Sequence, residues 1–277
     1  MIRIGTRGSA LALAQARWVA ERIAGQTELV TITTAGDRGA AKEDKSRWVS
    51  ELERALLSEQ VEIAVHSAKD VPAELAPGLE LVAIPQRADP RDVICGAVSL
   101  QELAPGARVG TSSLRRAAQI RAGREDVEVV PIRGNVDTRL RKLAEGQFDA
   151  IVLAGAGLQR LGHQPDGTLD ELVPAAGQGA LALEARPGDW PLDGLSDSEA
   201  TACVTAEREL TRALEASCNT PIGAHAQAVG PEELELEAWV GRPDGSAWVS
   251  DRVRGAAAEV GRVCAERLLS VGARELL

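Results

Sequence analysis

The chain has 277 residues, of which 44% are hydrophobic and 26% are charged, and its formal net charge is −10. These fractions exclude disordered, collagen-like and disulfide-scaffold proteins, and no apolar run approaches the roughly 20 residues that span a bilayer. Residues 1–7 enter strand-like sequence without the apolar core of a signal peptide, so we expect a cytoplasmic protein.

The first two-thirds of the chain alternates short β-branched runs with helical patterns. Strands are predicted at residues 2–5, 29–35, 61–66, 79–84, 93–97, 127–132 and 150–154. Helices are predicted at residues 9–24, 49–59, 113–122, 136–145 and 156–161. This alternation is typical of α/β folds with largely parallel sheets, which bind ligands at the carboxyl ends of their strands. A polar stretch with two prolines at 85–91 indicates a crossover between two lobes.

The pattern changes after residue 195. A helix is predicted at 198–216, three alternating strands at 224–229, 234–240 and 247–253, and a last helix at 257–269. Helix, antiparallel strands and helix make an α+β module of about 80 residues, which is long enough to fold as its own domain.

Positive charge is concentrated in one part of this acidic chain. Between Arg108 and Arg160, nine arginines and one lysine outnumber six acids by four, whereas the remainder of the chain carries −14. Such a basic island indicates an anionic ligand that is held locally. Phe148 is the one aromatic residue in this stretch, and nucleic-acid binding, which uses stacking aromatics, is therefore disfavoured.

Two successive strand-to-helix junctions carry the chemistry of an anion site. The sequence GTSSLRR at 110–116 and the sequence IRGNVDTR at 132–139 each place polar side chains and arginines at the start of a predicted helix. Free N–H groups and the positive end of the helix dipole favour an anion there. The alternative is an ordinary helix cap with solvated arginines, but two adjacent junctions of the same kind favour the anion site.

Two further segments are candidates for catalysis. Asp70 lies beside Lys69 directly after a predicted strand, where it is either a catalytic carboxylate or part of an ordinary solvated turn. Cys218 lies in turn-like sequence and is either an exposed, reactive thiol or a tolerated loop cysteine. The other three cysteines occupy apolar positions, and neither a C-x-x-C motif nor histidine at metal spacing occurs, so we expect no metal site.

Six motifs in chain order resemble those of the porphobilinogen deaminase family. They are TRGSALA at 6–12, HSAKDVP at 66–72, GTSSLRR at 110–116, RGNV at 133–136, PAAGQGA at 174–180 and CNTPIG at 218–223. The resemblance implies two lobes similar to periplasmic binding proteins, with mostly parallel sheets, and a small C-terminal α+β domain. We accordingly expect domain 1 at 1–86 and 176–196, domain 2 at 90–174 and domain 3 at 198–277.

The resemblance also implies an activity. Such enzymes join four porphobilinogen molecules head to tail with loss of ammonia, and then release the linear tetrapyrrole, hydroxymethylbilane, by hydrolysis. They build it on a dipyrromethane cofactor held through a cysteine thioether, which by motif is Cys218, and their catalytic aspartate corresponds to Asp70. Each pyrrole carries an acetate and a propionate, so a cleft rich in arginine suits the growing chain.

The ligand-binding residues that the resemblance implies fall mostly in the basic stretch. Cofactor binding is expected at Lys69, Thr111, Ser113, Arg115, Arg116, Arg133, Asn135 and Arg139. Substrate binding is expected at Arg7, Ser9, Arg133, Arg139, Arg160 and Gln178. Lys42 and Lys45 correspond to the family's mobile lid, which here is shorter and lacks its usual glycines. Ala216 and Ser217 replace the glycine pair that commonly precedes the cofactor cysteine.

Two other classes of protein remain open at this point. A two-lobed receptor that binds a small carboxylate without catalysis would explain the arginine junctions, but it leaves Cys218 and the third domain without a role. A transferase or hydrolase with a cysteine nucleophile would need a base, and the chain has His66, His163 and His225. We expect a monomer that acts on porphobilinogen, with no nucleic-acid or membrane partner.

Overall fold

The computed structural model describes residues 1–32, 46–216 and 220–277, which form two compact units. Unit 1 comprises Met1–Ala88 and Gly179–Ala202, and unit 2 comprises Asp89–Gln178 and Cys203–Leu277. Each unit contains a five-stranded sheet, and unit 2 also contains a three-stranded sheet. The mixed α/β fold is confirmed, whereas the division into three domains stays a prediction.

Apart from two short strands, the strands and helices follow one another in the order that the sequence pattern predicts. The strands are β1 (Ile2–Thr6), β2 (Thr27–Thr31), β3 (Ile63–Ser67), β4 (Glu80–Ala83), β5 (Asp92–Cys95), β6 (Arg108–Gly110), β7 (Glu128–Val130), β8 (Ala150–Ala154), β9 (Gly167–Leu169), β10 (Leu181–Ala185), β11 (Ile222–Gly230), β12 (Glu233–Gly241) and β13 (Trp248–Ala256). The helices are α1 (Ala10–Ala20), α2 (Ser46–Leu57), α3 (Leu114–Gly123), α4 (Val136–Ala144), α5 (Gly155–Arg160), α6 (Ser198–Ala213) and α7 (Val260–Ser270).

The sheet of unit 1 has the order β2-β1-β3-β10-β4. Four of its strands run in one direction and β10 runs against them, so it is mostly parallel, as predicted. Side chains of β3 alternate between its faces: Val65 packs in a core with Val19 of α1, while Ala64 packs with Leu52 of α2. Helices on both faces therefore leave the strand ends as the accessible edges of this sheet.

The five-stranded sheet of unit 2 repeats this arrangement in the order β7-β6-β8-β5-β9. Four strands again run in one direction, and β5 is the antiparallel one. Val109 packs with Ile120 of α3 on one face, and Ile151 packs with Leu158 of α5 on the other.

The antiparallel sheet of unit 2 is a meander in the order β11-β12-β13, and α7 packs against β12 and β13. Leu236 of β12 is fully buried, whereas the glutamates at alternate positions of this strand are partly exposed and form ion pairs with β13. Glu233 pairs with Arg254 at 2.6 Å, and Glu237 pairs with Arg252 at 3.0 Å. This alternation is the one that predicted these strands.

Two short strands, β9 and β10, were missing from the predicted elements, and β6 was predicted without bounds as the strand before the junction at 110–116. β10 has the sequence LALEA, and alanine, leucine and glutamate are good helix formers. It becomes a strand because β3 and β4 bond to its two edges, a tertiary effect that local propensity does not contain. The predicted strand at 29–35 is observed as β2, and residues 33–35 lie outside the described part of the chain.

The described residues lack two kinds of feature. They include no helix that is long and apolar enough to cross a membrane. They also include no group of three or more His, Cys, Asp or Glu side chains that could hold a metal ion.

Candidate active site

Four of the predicted site residues lie at one edge of the unit 1 sheet. Arg7 directly follows β1, and Ser9 caps the N-terminus of α1. Lys69 and Asp70 lie in a 3-10 turn, Ala68–Asp70, that directly follows β3. Because β1 and β3 are parallel neighbours, their carboxyl ends and these four residues share one edge.

The turn that carries Asp70 is anchored from two sides. The amide of Ala68 donates to the carbonyl of Ala180, just before β10, at 3.0 Å. The Nε2 atom of Gln15 in α1 donates to the Oγ atom of Ser67 at 2.9 Å. Gln15 is buried, and the sequence-based predictions did not include it. In the sequence, Gln15 is a polar residue among the alanines and leucines of α1. Its hydrogen bond to Ser67 connects that helix to the turn.

Three strand-to-helix junctions meet at one edge of the unit 2 sheet. The neighbouring strands β7, β6 and β8 are parallel, and each is followed by a helix. Two of the junctions carry most of the predicted binding set, namely Thr111, Ser113, Arg115 and Arg116 after β6 and Arg133, Asn135 and Arg139 after β7. Arg160 is the last residue of α5, the helix that follows β8. The two junctions that the sequence singled out are thus neighbours in the sheet.

Local hydrogen bonds shape these junctions. The Oγ atom of Ser113 accepts from the amide of Arg116 at 3.4 Å and caps α3. The Oδ1 atom of Asn135 accepts from the amide of Thr138 at 2.9 Å and caps α4. Both helices therefore begin at the edge where the arginines lie, and their N-termini add favourable electrostatics for an anion.

The electrostatics of this edge favour a carboxylate ligand. Burial lowers the pKa of Arg160, and it lowers the pKa of Arg139, which the nearby positive charge of Arg116 lowers further. Cations that are poorly hydrated and close to one another gain from a bound anion. The Nε atom of Arg115 is also buried and has no hydrogen-bond partner among the described residues. The donor set therefore fits a ligand with several carboxylate groups, such as a chain of substituted pyrroles.

Gln178 is buried against the arginines. Its Oε1 atom accepts from Nη2 of Arg116 at 3.3 Å, and its Nε2 atom donates to Oδ1 of Asp92 at 2.8 Å. Only 1% of Gln178 is exposed, so its contribution to substrate binding, a prediction that stays untested, would pass through the arginine. Asp92 was absent from the predicted site, although an acidic residue at the start of a buried apolar strand indicates a buried ion pair.

Comparison with known proteins assigns the family. Residues 2–193 match the family model for "Porphobilinogen deaminase, dipyromethane cofactor binding domain", and residues 201–270 match "Porphobilinogen deaminase, C-terminal domain". The porphobilinogen deaminase of Thermus thermophilus is 46% identical over 100% of this chain and 98% of its own, and that of Deinococcus deserti is 45% identical over 100% and 97%. The chain belongs to the porphobilinogen deaminase family. It is therefore a transferase.

Among solved structures, the likeness is weaker. Substrate-binding domain 2 of Lactococcus lactis GlnP, in its open conformation, covers 69% of this chain and 83% of its own at 10% identity. The TM-score is 0.41, and nothing about the function of this porphobilinogen deaminase family member follows from this likeness.

Three residues with roles expected from the porphobilinogen deaminase family, Lys42, Lys45 and Cys218, lie outside the described residues, and their roles stay predictions. Burial raises the pKa of the Cys95 thiol to about 11 and that of Cys264 to about 12. Both thiols are therefore protonated at neutral pH and unreactive, which leaves them no part in covalent chemistry.

Gly134 packs closely against the Thr138 side chain at the second junction of this family member. Its φ is +117°, and an added Cβ would lie 2.6 Å from Cγ2 of Thr138. We expect Gly134→Ala to lower the free energy of unfolding by roughly 2–4 kcal/mol, measured by urea titration, because strain and a clash add. Gly146→Ala is the control: its φ is +70° and its added Cβ meets nothing within 4 Å, so we expect a loss of about 1 kcal/mol. Equal losses in both variants would contradict the clash.

Proposed function

We propose that the chain condenses four porphobilinogen molecules head to tail, releasing ammonia at each step, and then hydrolyses the product from the enzyme as hydroxymethylbilane. In this proposal the primer is a dipyrromethane cofactor bound through a thioether to Cys218. The observation that carries the proposal is the edge of the unit 2 sheet, where the neighbouring junctions after β6 and β7 bring arginines and two helix N-termini together in a member of this family.

The arginines of unit 2 bind and orient the carboxylates in this proposal. Every condensation adds one acetate and one propionate, so the number of ligand charges grows as the chain lengthens. Guanidinium groups form two parallel hydrogen bonds with a carboxylate, which fixes the direction of a pyrrole ring as well as its position. Arg139 and Arg160, whose burial costs hydration, gain most from such a ligand.

In this proposal, Asp70 supplies the negative charge that stabilises the cationic ring, and it helps to remove a proton. Its carboxylate accepts a hydrogen bond from a pyrrole N–H and stabilises the positive charge that develops as the carbon–nitrogen bond to ammonia breaks. A nucleophilic ring carbon then forms a carbon–carbon bond to the methylene carbon that ammonia has left, and that ring carbon loses the proton that balances the reaction, which Asp70 helps to remove. When bound, the dipyrromethane supplies the nucleophilic ring carbon that receives the first unit. The anchored turn after β3 supports this role because its hydrogen bonds at Ser67 and Ala68 hold the backbone that carries Asp70.

Several finer properties stay predictions from the sequence. These are the monomeric state, the cytoplasmic location, and the absence of metal, nucleic-acid and membrane partners. The lid role of Lys42 and Lys45 has the same standing.

Incubation of the purified chain with porphobilinogen tests the proposed function. We expect one ammonia per porphobilinogen consumed and one hydroxymethylbilane per four consumed, with heat-denatured protein as the control. A protein that binds porphobilinogen without consuming it would contradict the proposal and favour the alternative of a carboxylate receptor.

A further inference from the structure

Asp92 links the two arginines at the start of α3. It is the first residue of β5 and is fully buried. Its Oδ2 atom accepts from Nη1 of Arg115 at 2.7 Å, and its Oδ1 atom accepts from Nε of Arg116 at 2.8 Å. Gln178 donates to the same Oδ1 atom at 2.8 Å. The Asp92 carboxylate therefore sets the position of both guanidinium groups and of the side-chain amide of Gln178.

The other contacts of the arginines complete this arrangement. Nη1 of Arg115 also donates to the carbonyl of Val173 at 2.7 Å, and Nη1 of Arg116 donates to the carbonyl of Val152 at 3.3 Å. Both arginine side chains are buried, so few orientations are open to them while Asp92 holds them. These contacts hold the two guanidinium groups in one arrangement, and such preorganisation lowers the cost of binding a ligand.

The charge of the cluster depends on Asp92. Burial opposes ionisation of Asp92, but the charges of Arg115 and Arg116, together with hydrogen bonds from Arg115 and Gln178, outweigh it and hold the pKa of this carboxyl well below its usual range. Since the pKa in the unfolded chain is about 4, the stabilisation is complete above that pH and is lost as pH falls through the lower folded value. At neutral pH one negative and two positive charges leave the cluster with a single net positive charge.

We infer that Asp92 is a positioning residue, which neutralises one of two adjacent buried guanidinium charges and aligns Arg115 and Arg116 so that the pair presents one net positive charge to one carboxylate group. The identity of that carboxylate, a side chain of the pyrrole cofactor, rests on the proposed function. Without Asp92 the same site would hold two uncompensated buried cations, and burying unpaired charge is costly.

The variant Asp92→Asn keeps the shape of the side chain and removes its charge. We expect the midpoint of thermal unfolding to fall by roughly 10 °C, because a buried partner of two cations is lost. The matched control is Asp126→Asn, since Asp126 pairs at 2.7 Å with Arg124 just beyond the other end of α3 but is partly exposed. We expect that control to shift the midpoint by less than about 3 °C.

A second substitution separates charge from shape. In the double variant Asp92→Asn with Arg115→Gln, the buried net charge returns to a single positive charge. We therefore expect the midpoint of thermal unfolding to rise most of the way back to the wild-type value. If Asp92→Asn alone does not fold, a folded double variant supports the inference and an unfolded one contradicts it. No recovery, or a shift no larger than that of Asp126→Asn, would also contradict it.

Cofactor content provides the readout that a purely structural residue would not change. By intact mass, we expect fewer Asp92→Asn chains than Asp126→Asn chains to carry the added mass of two linked pyrroles. Full occupancy with unchanged kcat and KM in Asp92→Asn would reduce Asp92 to a structural residue and overturn the inference. If wild-type chains carry no added mass, the proposed function fails, and the unfolding midpoints still decide the charge argument.

Discussion

Replacement of Asp70 by asparagine is expected to lower kcat by a factor of about 100 to 10,000, the range typical of a lost acid–base or charge-stabilising group. Asparagine has nearly the same shape as aspartate, so the 3-10 turn and its bonds to Ala180 and Gln15 should persist. The loss would come from the missing negative charge, which no longer stabilises the cationic pyrrole ring. Turnover of porphobilinogen and intact mass are the two measurements.

The cofactor should remain on Asp70→Asn, because attachment depends on a different part of the chain. The control is Asp193→Asn, the same substitution at an exposed position of unit 1, and it should behave as the wild type. A kcat for Asp70→Asn within a few-fold of the wild-type value would remove Asp70 from the mechanism.

Replacement of Cys218 by alanine is expected to abolish turnover and to remove the cofactor. The intact mass of wild-type protein should exceed the sequence mass by two linked pyrroles, and the variant should match its sequence mass. Cys264→Ala is the control, because burial raises the pKa of that thiol to about 12 and keeps it out of covalent chemistry. This control should retain the added mass.

Thiol counting checks the same attachment independently. Unfolded wild-type protein should show three reactive thiols rather than the four that the sequence contains, because one sulfur is held in a thioether. Four reactive thiols in unfolded wild-type protein, together with a mass equal to that of the bare chain, would refute covalent attachment at Cys218.

Much of the candidate site is readable from sequence because its signals are local. Asn135 caps α4, as its position directly before the predicted helix at 136–145 indicates, and Ser113, the first residue of the predicted helix at 113–122, caps α3. The arginines that follow them lie within one or two turns of the caps, so a correct helix start places them near the strand end. Asp70 follows a strand that alternation predicts, and its turn needs only a few residues to form.

The hydrogen-bond partners of these residues cannot be predicted from local sequence. Asp92 is separated from Arg115 by 23 residues, and Gln178 is separated from Arg116 by 62 residues. Gln15 lies 52 residues before Ser67. No local pattern relates such residues, and only the pairing order of the strands brings them together.

Length, composition and motif order are thus enough to assign the α/β class, the basic island and the types of side chain at each strand end. Those features depend on interactions over a few residues, in which backbone propensity and capping dominate. The sheet orders, the antiparallel insertion of β5 and β10, and the net charge of the Asp92 cluster come from contacts between distant segments. The energy of those contacts depends on burial, and burial exists only once the chain has folded.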